Sequence, residues 1–123
     1  MIITKDDAPL FELDGTLATG YASPSRGAHE TSVWHIELAP GTESPLHVLD
    51  REEVFLALSG RAQARLGDRR SEFGAGDCLV VHRGEWFSIG NPTDDPFQAV
   101  VCMPVGGRAR LEHGQSLVPP WAA

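Results

Sequence analysis

The sequence has few cysteines, few basic residues and no long apolar run, and each shortage excludes a class of protein. Two cysteines among 123 residues, Cys78 and Cys102, cannot form the disulfide framework typical of small secreted domains. We expect both to be small buried side chains, the usual environment of a free cysteine. The longest uninterrupted apolar run, Val54 to Leu58, is far too short to span a membrane.

Positive charge is scarce, with 10 lysines and arginines against 17 acidic residues, which gives a formal net charge of -7. Nucleic acid phosphates and anionic membrane surfaces would repel such a chain, so we expect neither as a partner. The first ten residues contain Asp6 and Asp7 and no apolar core of signal-peptide length. These features together predict a cytoplasmic protein.

Helical periodicity is also missing, because no stretch has apolar residues at i, i+3, i+4 and i+7 over several turns. Thirteen glycines and nine prolines instead break the chain into short segments. Strands at this spacing, separated by glycine turns, are typical of a sandwich or jelly-roll barrel. A chain of this length builds one core, so we predict a single all-β domain over residues 1–123.

Alternation of apolar and polar residues places the strands. Thr31–Ala39 is predicted to show an apolar face, and Asp14-Gly15 is predicted to be a hairpin turn because both turn positions need a positive φ. Cys78–Val81 is apolar on both faces, which predicts a strand covered on both sides. Further strands are predicted at Ile2–Thr4, Leu10–Glu12, Leu17–Ala22, Arg61–Leu66, Arg69–Phe73 and Phe97–Met103.

Two segments outside this pattern carry specific expectations. Arg26 lies in the polar connection Ser23–Glu30, where a solvated side chain is the usual outcome. The tail, Arg108–Ala123, is predicted to contain one short strand. Its Trp121 is expected to pack on the barrel or on a neighbouring subunit.

The residues from Gly41 to Gly60 and from Gly76 to Asn91 resemble the two motifs of small single-domain cupins. The first motif, G-x5-H-x-H-x3-E-x6-G, matches Gly41, His47, Glu53 and Gly60 with every interval kept. The second, G-x5-P-x-G-x2-H-x3-N, matches Gly76, Gly84 and Asn91. The resemblance covers about residues 31–105 and implies an all-β double-stranded β-helix, the cupin jelly roll, with little or no helix.

The departures from these motifs fall on metal-binding positions. In typical cupins four motif residues hold a divalent metal such as zinc, iron, manganese or nickel. Leu49 stands where the first motif has its second histidine, and Phe87 stands where the second motif has its histidine. His47 and Glu53 are therefore the two motif ligands that remain, and a third would have to come from His35 or His82. Because catalytic metals generally need three protein ligands, the sequence favours a site without a cofactor.

Three functions remain compatible with these residues. The first is small-molecule binding, in a pocket formed by Leu49, Phe55, Ala62, Ala64 and Phe87 and oriented by His47 and Glu53. The second is metal-dependent catalysis by an oxygenase, isomerase, cyclase or lyase. The third is metal-free acid/base catalysis, with His47 and Glu53 on adjacent strands and close enough to hydrogen-bond.

We take binding as the primary interpretation, because a fold does not by itself imply catalysis. Glu53 and not Glu52 is expected to face the interior, since adjacent strand residues point to opposite faces. We also expect a homodimer, from family behaviour and from the apolar outer faces of Val54–Leu58 and Cys78–Val81.

Overall fold

The computed structural model describes residues 1–123, and it shows twelve strands with two short 3-10 turns, Lys5–Asp7 and Pro24–Arg26. No helix has the length and apolar character needed to cross a membrane. The strands are β1 (Leu10–Leu13), β2 (Thr16–Ala22), β3 (Thr31–Leu38), β4 (His47–Leu49), β5 (Glu53–Ser59), β6 (Arg61–Leu66), β7 (Arg69–Gly74), β8 (Cys78–Val81), β9 (Trp86–Gly90), β10 (Phe97–Pro104), β11 (Ala109–Leu111) and β12 (Ser116–Leu117).

These strands form two six-stranded antiparallel sheets that face each other. Sheet A has the order β1-β2-β3-β10-β5-β8, and sheet B has the order β12-β11-β4-β9-β6-β7. Successive strands repeatedly cross between the sheets, as in a jelly roll. The predicted all-β jelly-roll fold is therefore confirmed.

Side-chain alternation along the strands fills the space between the sheets. On β3, Trp34, Ile36 and Leu38 are buried, while the side chains between them are only partly covered. The same period-two pattern on β10 buries Ala99, Val101 and Met103. The core therefore occupies one continuous layer between the sheets, and the apolar face of the predicted Thr31–Ala39 strand is its inner face.

The predicted hairpin at Asp14-Gly15 joins β1 to β2. Asp14 has a φ of 47° and Gly15 a φ of 87°, so both turn residues adopt the positive φ that this turn requires. Ile2–Thr4, by contrast, was predicted as a strand and is not one. Asp7 donates its amide to the Thr4 carbonyl, and Thr4 Oγ1 donates to the Asp7 carboxylate, so the chain turns here instead of extending.

Three other predictions are wrong. Strand β8 lies at the edge of sheet A, and its residues Cys78 and Val80 are exposed, so the chain covers only one of its faces. The expectation that both cysteines are buried therefore fails for Cys78, while Cys102 is half-buried. The tail contains two short strands, β11 and β12, where one was expected.

Candidate functional site

A cavity of about 360 Å³ lies between the two sheets, and 12 of its 21 lining residues are hydrophobic. Sheet A contributes β3 and the start of β5, and sheet B contributes β4, β9 and β11. The β1–β2 turn, the loop before β4 and the segment after β12 complete the wall. A cavity of this size and composition is typical of small-molecule sites.

Glu53 is the buried charged residue of this cavity. It is the first residue of β5, pairs with Val81 of β8, and is only 5% exposed. No protein group donates a hydrogen bond to its carboxyl, and no cationic side chain forms an ion pair with it. Burial raises its pKa to about 8, so the carboxyl is mainly protonated at neutral pH. A protonated carboxyl can donate a hydrogen bond as well as accept one.

His47 faces the same cavity from sheet B. It is the first residue of β4, and its ring lies 4.2 Å from the ring of its strand partner Phe87. Burial lowers the pKa of His47, and the hydrogen bond with Pro45 opposes that shift less strongly. Because Nδ1 is 2.7 Å from a carbonyl oxygen, Nδ1 carries the proton. In the neutral ring, Nε2 is then a free hydrogen-bond acceptor.

The predicted adjacency of these two residues is wrong. β4 belongs to sheet B and β5 to sheet A, because the Asp50–Glu52 loop crosses from one sheet to the other. His47 and Glu53 therefore approach the cavity from opposite walls, and no hydrogen bond joins them. They share a cavity without forming a direct dyad.

Of the predicted pocket residues, Leu49, Phe55 and Phe87 line the cavity. Ala62 and Ala64 do not, and that part of the prediction is wrong. They lie in the packed core, 1% and 0% exposed, beside their strand partners Phe73 and Ile89. Larger neighbours occupy the space that small side chains on β6 were expected to leave open.

The residues that could have completed a metal site lie outside the cavity. His35 is on the outer face of sheet A, with Nε2 3.1 Å from Gln98 Oε1. His82 is exposed, with Nδ1 3.1 Å from the carboxylate of Glu52. No three His, Cys, Asp or Glu side chains converge anywhere in the molecule. The residues present therefore do not fit a metal bound by three protein ligands.

Sequence reasoning missed two parts of the cavity wall. Asp14 and Glu43 add acidic groups, and no lysine or arginine lines the cavity. The end of β12 contributes Leu117, and the segment after it contributes Pro119, Pro120 and Trp121. Only Trp121 carried a signal in the sequence, as a tryptophan that requires burial.

Comparison with known proteins places this geometry in a family. A cupin domain model matches residues 34–104. Auxin-binding protein 5 of Zea mays is 33% identical over 75 residues, which are 60% of this chain and 49% of that protein. The chain thus spans about half the length of that curated relative, and 36% of auxin-binding protein 4 from the same plant.

Solved structures agree on the fold. The polyketide cyclase RemF from Streptomyces resistomycificus superposes with a TM-score of 0.76 at 20% identity, covering 85% of this chain and 78% of that one. A Cupin 2 conserved barrel domain protein from Salinispora arenicola gives 0.70 at 26% identity, covering 84% and 87%. Since the family model matches more than half of the chain, this protein belongs to the cupin family.

Proposed function

We propose that the protein binds a small, uncharged and largely apolar molecule in the cavity between its sheets. The observation that supports this most strongly is the carboxyl of Glu53, which faces an apolar cavity without any protein hydrogen-bond partner. The protein leaves the hydrogen-bonding capacity of this carboxyl unused, although burial disfavours its charged form. A ligand carbonyl or hydroxyl would supply the missing hydrogen bond.

The charges around the cavity support an uncharged ligand. Asp14 and Glu43 are acidic, Glu53 is mainly protonated, and no lysine or arginine lines the cavity. Arg70, which is 3.8 Å from the Glu43 carboxylate, is not among the lining residues. An anionic ligand would lose its hydration there without gaining a cationic partner. A neutral ligand can instead accept from the Glu53 carboxyl and donate to Nε2 of His47. Trp34, Phe55 and Phe87 favour an aromatic or other flat apolar body.

The proposal is tested by a thermal-shift screen of uncharged and anionic aromatic compounds against wild type and Glu53→Leu. Uncharged compounds with a carbonyl or hydroxyl group are expected to raise the Tm of wild type and to raise that of Glu53→Leu much less. Glu52→Leu is the matched control, because Glu52 is the adjacent residue and points outside the cavity. Hits that are mainly anionic, or that stabilise Glu53→Leu equally, would argue against the proposal.

A second candidate function is metal-free proton transfer in the same cavity. A neutral His47 with a free Nε2 is a base, and a protonated Glu53 on the opposite wall is an acid. Complementary protonation states of this kind are what an isomerase, epimerase, cyclase or lyase requires. Once a ligand is identified, incorporation of solvent deuterium into it, lost in His47→Gln, would distinguish catalysis from binding.

We also propose that the chain forms a homodimer through the outer face of sheet A. Leu56, Leu58 and Val80 are 45%, 48% and 40% exposed on the neighbouring strands β5 and β8. A second copy of this face would cover them, and would also cover the edge strand that the sequence marks as apolar on both sides.

The exposed free thiol of Cys78 supports the proposed cytoplasmic location, where thiols stay reduced.

A further inference from the structure

The segment from Leu117 to Ala123, here called the closing segment, covers one side of the cavity. Leu117, Pro119 and Trp121 belong to the cavity wall. The Trp121 ring also packs edge-to-face on Phe11 of β1, at a centroid distance of 6.4 Å. Without this segment, the cavity between the sheets would be open to solvent on that side.

Side chains from a distant part of the sequence hold the closing segment in place. Arg26 Nη2 donates to the main-chain oxygen of Trp121 at 2.8 Å, and Ser32 Oγ donates to that of Ala122 at 3.0 Å. Ser25 Oγ donates to the main-chain oxygen of Ala123 at 2.6 Å. We call Ser25, Arg26 and Ser32 the latch. Arg26 is thus partly covered and bonded to the tail, and the expectation that it is solvated was wrong.

A glycine in β2 makes room for the latch. A Cβ atom on Gly20 would lie 2.6 Å from Arg26 Nη2 and 3.1 Å from the Trp121 main-chain oxygen. Real Cβ atoms essentially never approach another atom to 2.6 Å, so any other residue at this position would displace the guanidinium. Gly20 therefore permits the hydrogen bond between Arg26 and the closing segment.

Besides the latch, packing of Pro119, Trp121 and Ala122 against the barrel holds the closing segment, and few main-chain hydrogen bonds do. Its strand pairing ends at Leu117, which pairs with Ala109 of β11. Beyond that, its main-chain bonds are a turn from Ala122 to Pro119 and a long contact of 3.4 Å from the Ser25 amide to Ala123. Each latch hydrogen bond contributes on the order of 1 kcal/mol, and separation also exposes the buried Pro119 and Ala122. Because all strands except β12 can stay paired, such local opening costs less than global unfolding.

We propose that the closing segment is a gate for the ligand, released when the latch hydrogen bonds break, and that Trp121 sets the size of ligand the closed cavity accepts. This inference rests on the proposed binding function. The other irregular parts of the wall, the β1–β2 turn and the loop before β4, are each tied to a neighbouring segment by a backbone hydrogen bond, from the Ala39 amide to Gly15 and from the Ser44 amide to Ile89. Beyond Leu117, the closing segment is tied to the rest of the chain mainly through side chains.

The test follows binding of N-phenyl-1-naphthylamine, an uncharged fluorescent aromatic probe, by stopped-flow fluorescence. The double variant Ser25→Ala/Ser32→Ala removes two latch hydrogen bonds and is expected to increase the association and dissociation rates by about tenfold. Gly20→Ala, which displaces Arg26, should act in the same direction. Ser59→Ala/Ser71→Ala is the matched control, because these two serines are exposed and make no side-chain hydrogen bonds.

Hydrogen exchange separates the possible outcomes. The inference expects faster exchange of the amides of residues 117–123 in the latch variants, together with the faster probe rates. Faster exchange with unchanged probe rates would show that the segment is only structural, and unchanged exchange would show that the latch is misassigned. If the probe binds neither wild type nor latch variants, the proposed binding function itself fails.

The role of Trp121 has a separate readout. Trp121→Ala enlarges the closed cavity, so this variant is expected to bind the bulkier uncharged dye Nile red, which wild type should exclude. Equal affinity of the two proteins for Nile red would overturn the assignment of Trp121 as the size-selecting residue.

Discussion

At the scale of single residues, burial of Glu53 costs stability but gives the cavity a hydrogen-bonding group. A carboxyl buried in a cavity that Leu49, Phe55 and Phe87 also line cannot be hydrated as it is in water, so its ionised form is disfavoured. Keeping the proton removes the charge and leaves a hydrogen-bond donor. A carboxyl kept neutral at pH 7 by an apolar site is a known device for binding or activating a carbonyl group.

Replacing Glu53 with glutamine should stabilise the protein increasingly as the pH rises. In the folded chain Glu53 keeps its proton up to about pH 8, whereas the unfolded chain releases it near its ordinary pKa of 4.5. Its contribution to stability is therefore complete below pH 4.5 and lost as the pH rises towards 8. The free energy of unfolding of Glu53→Gln relative to wild type should rise by about 1.4 kcal/mol per pH unit between pH 5 and 7.5.

Urea unfolding of both proteins at several pH values measures this difference, and Glu52→Gln is the control. Glu52 carries the same change one residue earlier and is exposed. A stability difference for Glu53→Gln that does not change with pH would show that Glu53 is not a protonated buried acid.

The imidazole of His47 should be less protonated at pH 6.5 than an ordinary histidine, and its neutral form should carry the proton on Nδ1. An ordinary histidine is half protonated there, but burial lowers the pKa of His47, and the Pro45 carbonyl accepts from Nδ1. Nitrogen-15 NMR of the ring distinguishes both the charge state and the tautomer. A neutral ring with its proton on Nε2, or a ring as protonated as an ordinary histidine or more so, would contradict the geometry described for the cavity.

At the scale of single elements, the glycine turns determine which strands approach each other. Gly60, between β5 and β6, has a φ of 77°, and a Cβ there would collide with the main chain of Pro96 and Phe97. Gly67, between β6 and β7, has a φ of 60° and open space around it. Both glycines adopt a positive φ that other residues rarely adopt, but only Gly60 also permits close approach of a distant segment.

The pair Gly60→Ala and Gly67→Ala separates these two effects. Gly67→Ala is expected to cost about 1 kcal/mol, from the positive φ alone. Gly60→Ala should cost clearly more, because main-chain atoms cannot move aside as a flexible side chain can. Thermal or urea unfolding measures both values, and equal losses would mean that the approach to Pro96 and Phe97 is unimportant.

The elements were predictable from the sequence to the extent that local patterns determine them. Motif spacing and period-two alternation located most strands, the Asp14-Gly15 turn and the burial of Glu53. The pairing of strands across sheets is not local. That is why His47 and Glu53 were wrongly expected on adjacent strands, and why Ala62 and Ala64 were wrongly expected to line the cavity.

The closing segment was the least predictable element for the same reason. Its cavity contacts depend on Ser25, Arg26 and Ser32, which lie more than eighty residues earlier in the chain. A single arginine in a polar loop gives no sequence signal for such a partner. Only the aromatic character of Trp121 indicated that the tail would be packed and not solvated.

At the scale of the whole molecule, the outer face of sheet A exposes the apolar side chains Leu56, Leu58 and Val80 to solvent. Substituting Leu56 with glutamate should convert the proposed homodimer to a monomer, because a charge would be buried in an apolar interface. Leu10→Glu is the matched control, since Leu10 is 65% exposed on β1, at the other edge of the sheet. Light scattering after gel filtration measures the masses of wild type and both variants. A monomeric wild type would contradict the proposed homodimer.

The most direct test of the central claim compares 1-naphthol and 1-naphthoate, two ligands with the same ring system and different charge. Isothermal titration calorimetry at pH 7 should show 1-naphthol binding to the wild-type cavity at least about tenfold more tightly, because the anion finds acidic groups there and no cation. Equal or tighter binding of 1-naphthoate would contradict the claim that the cavity accepts uncharged apolar molecules.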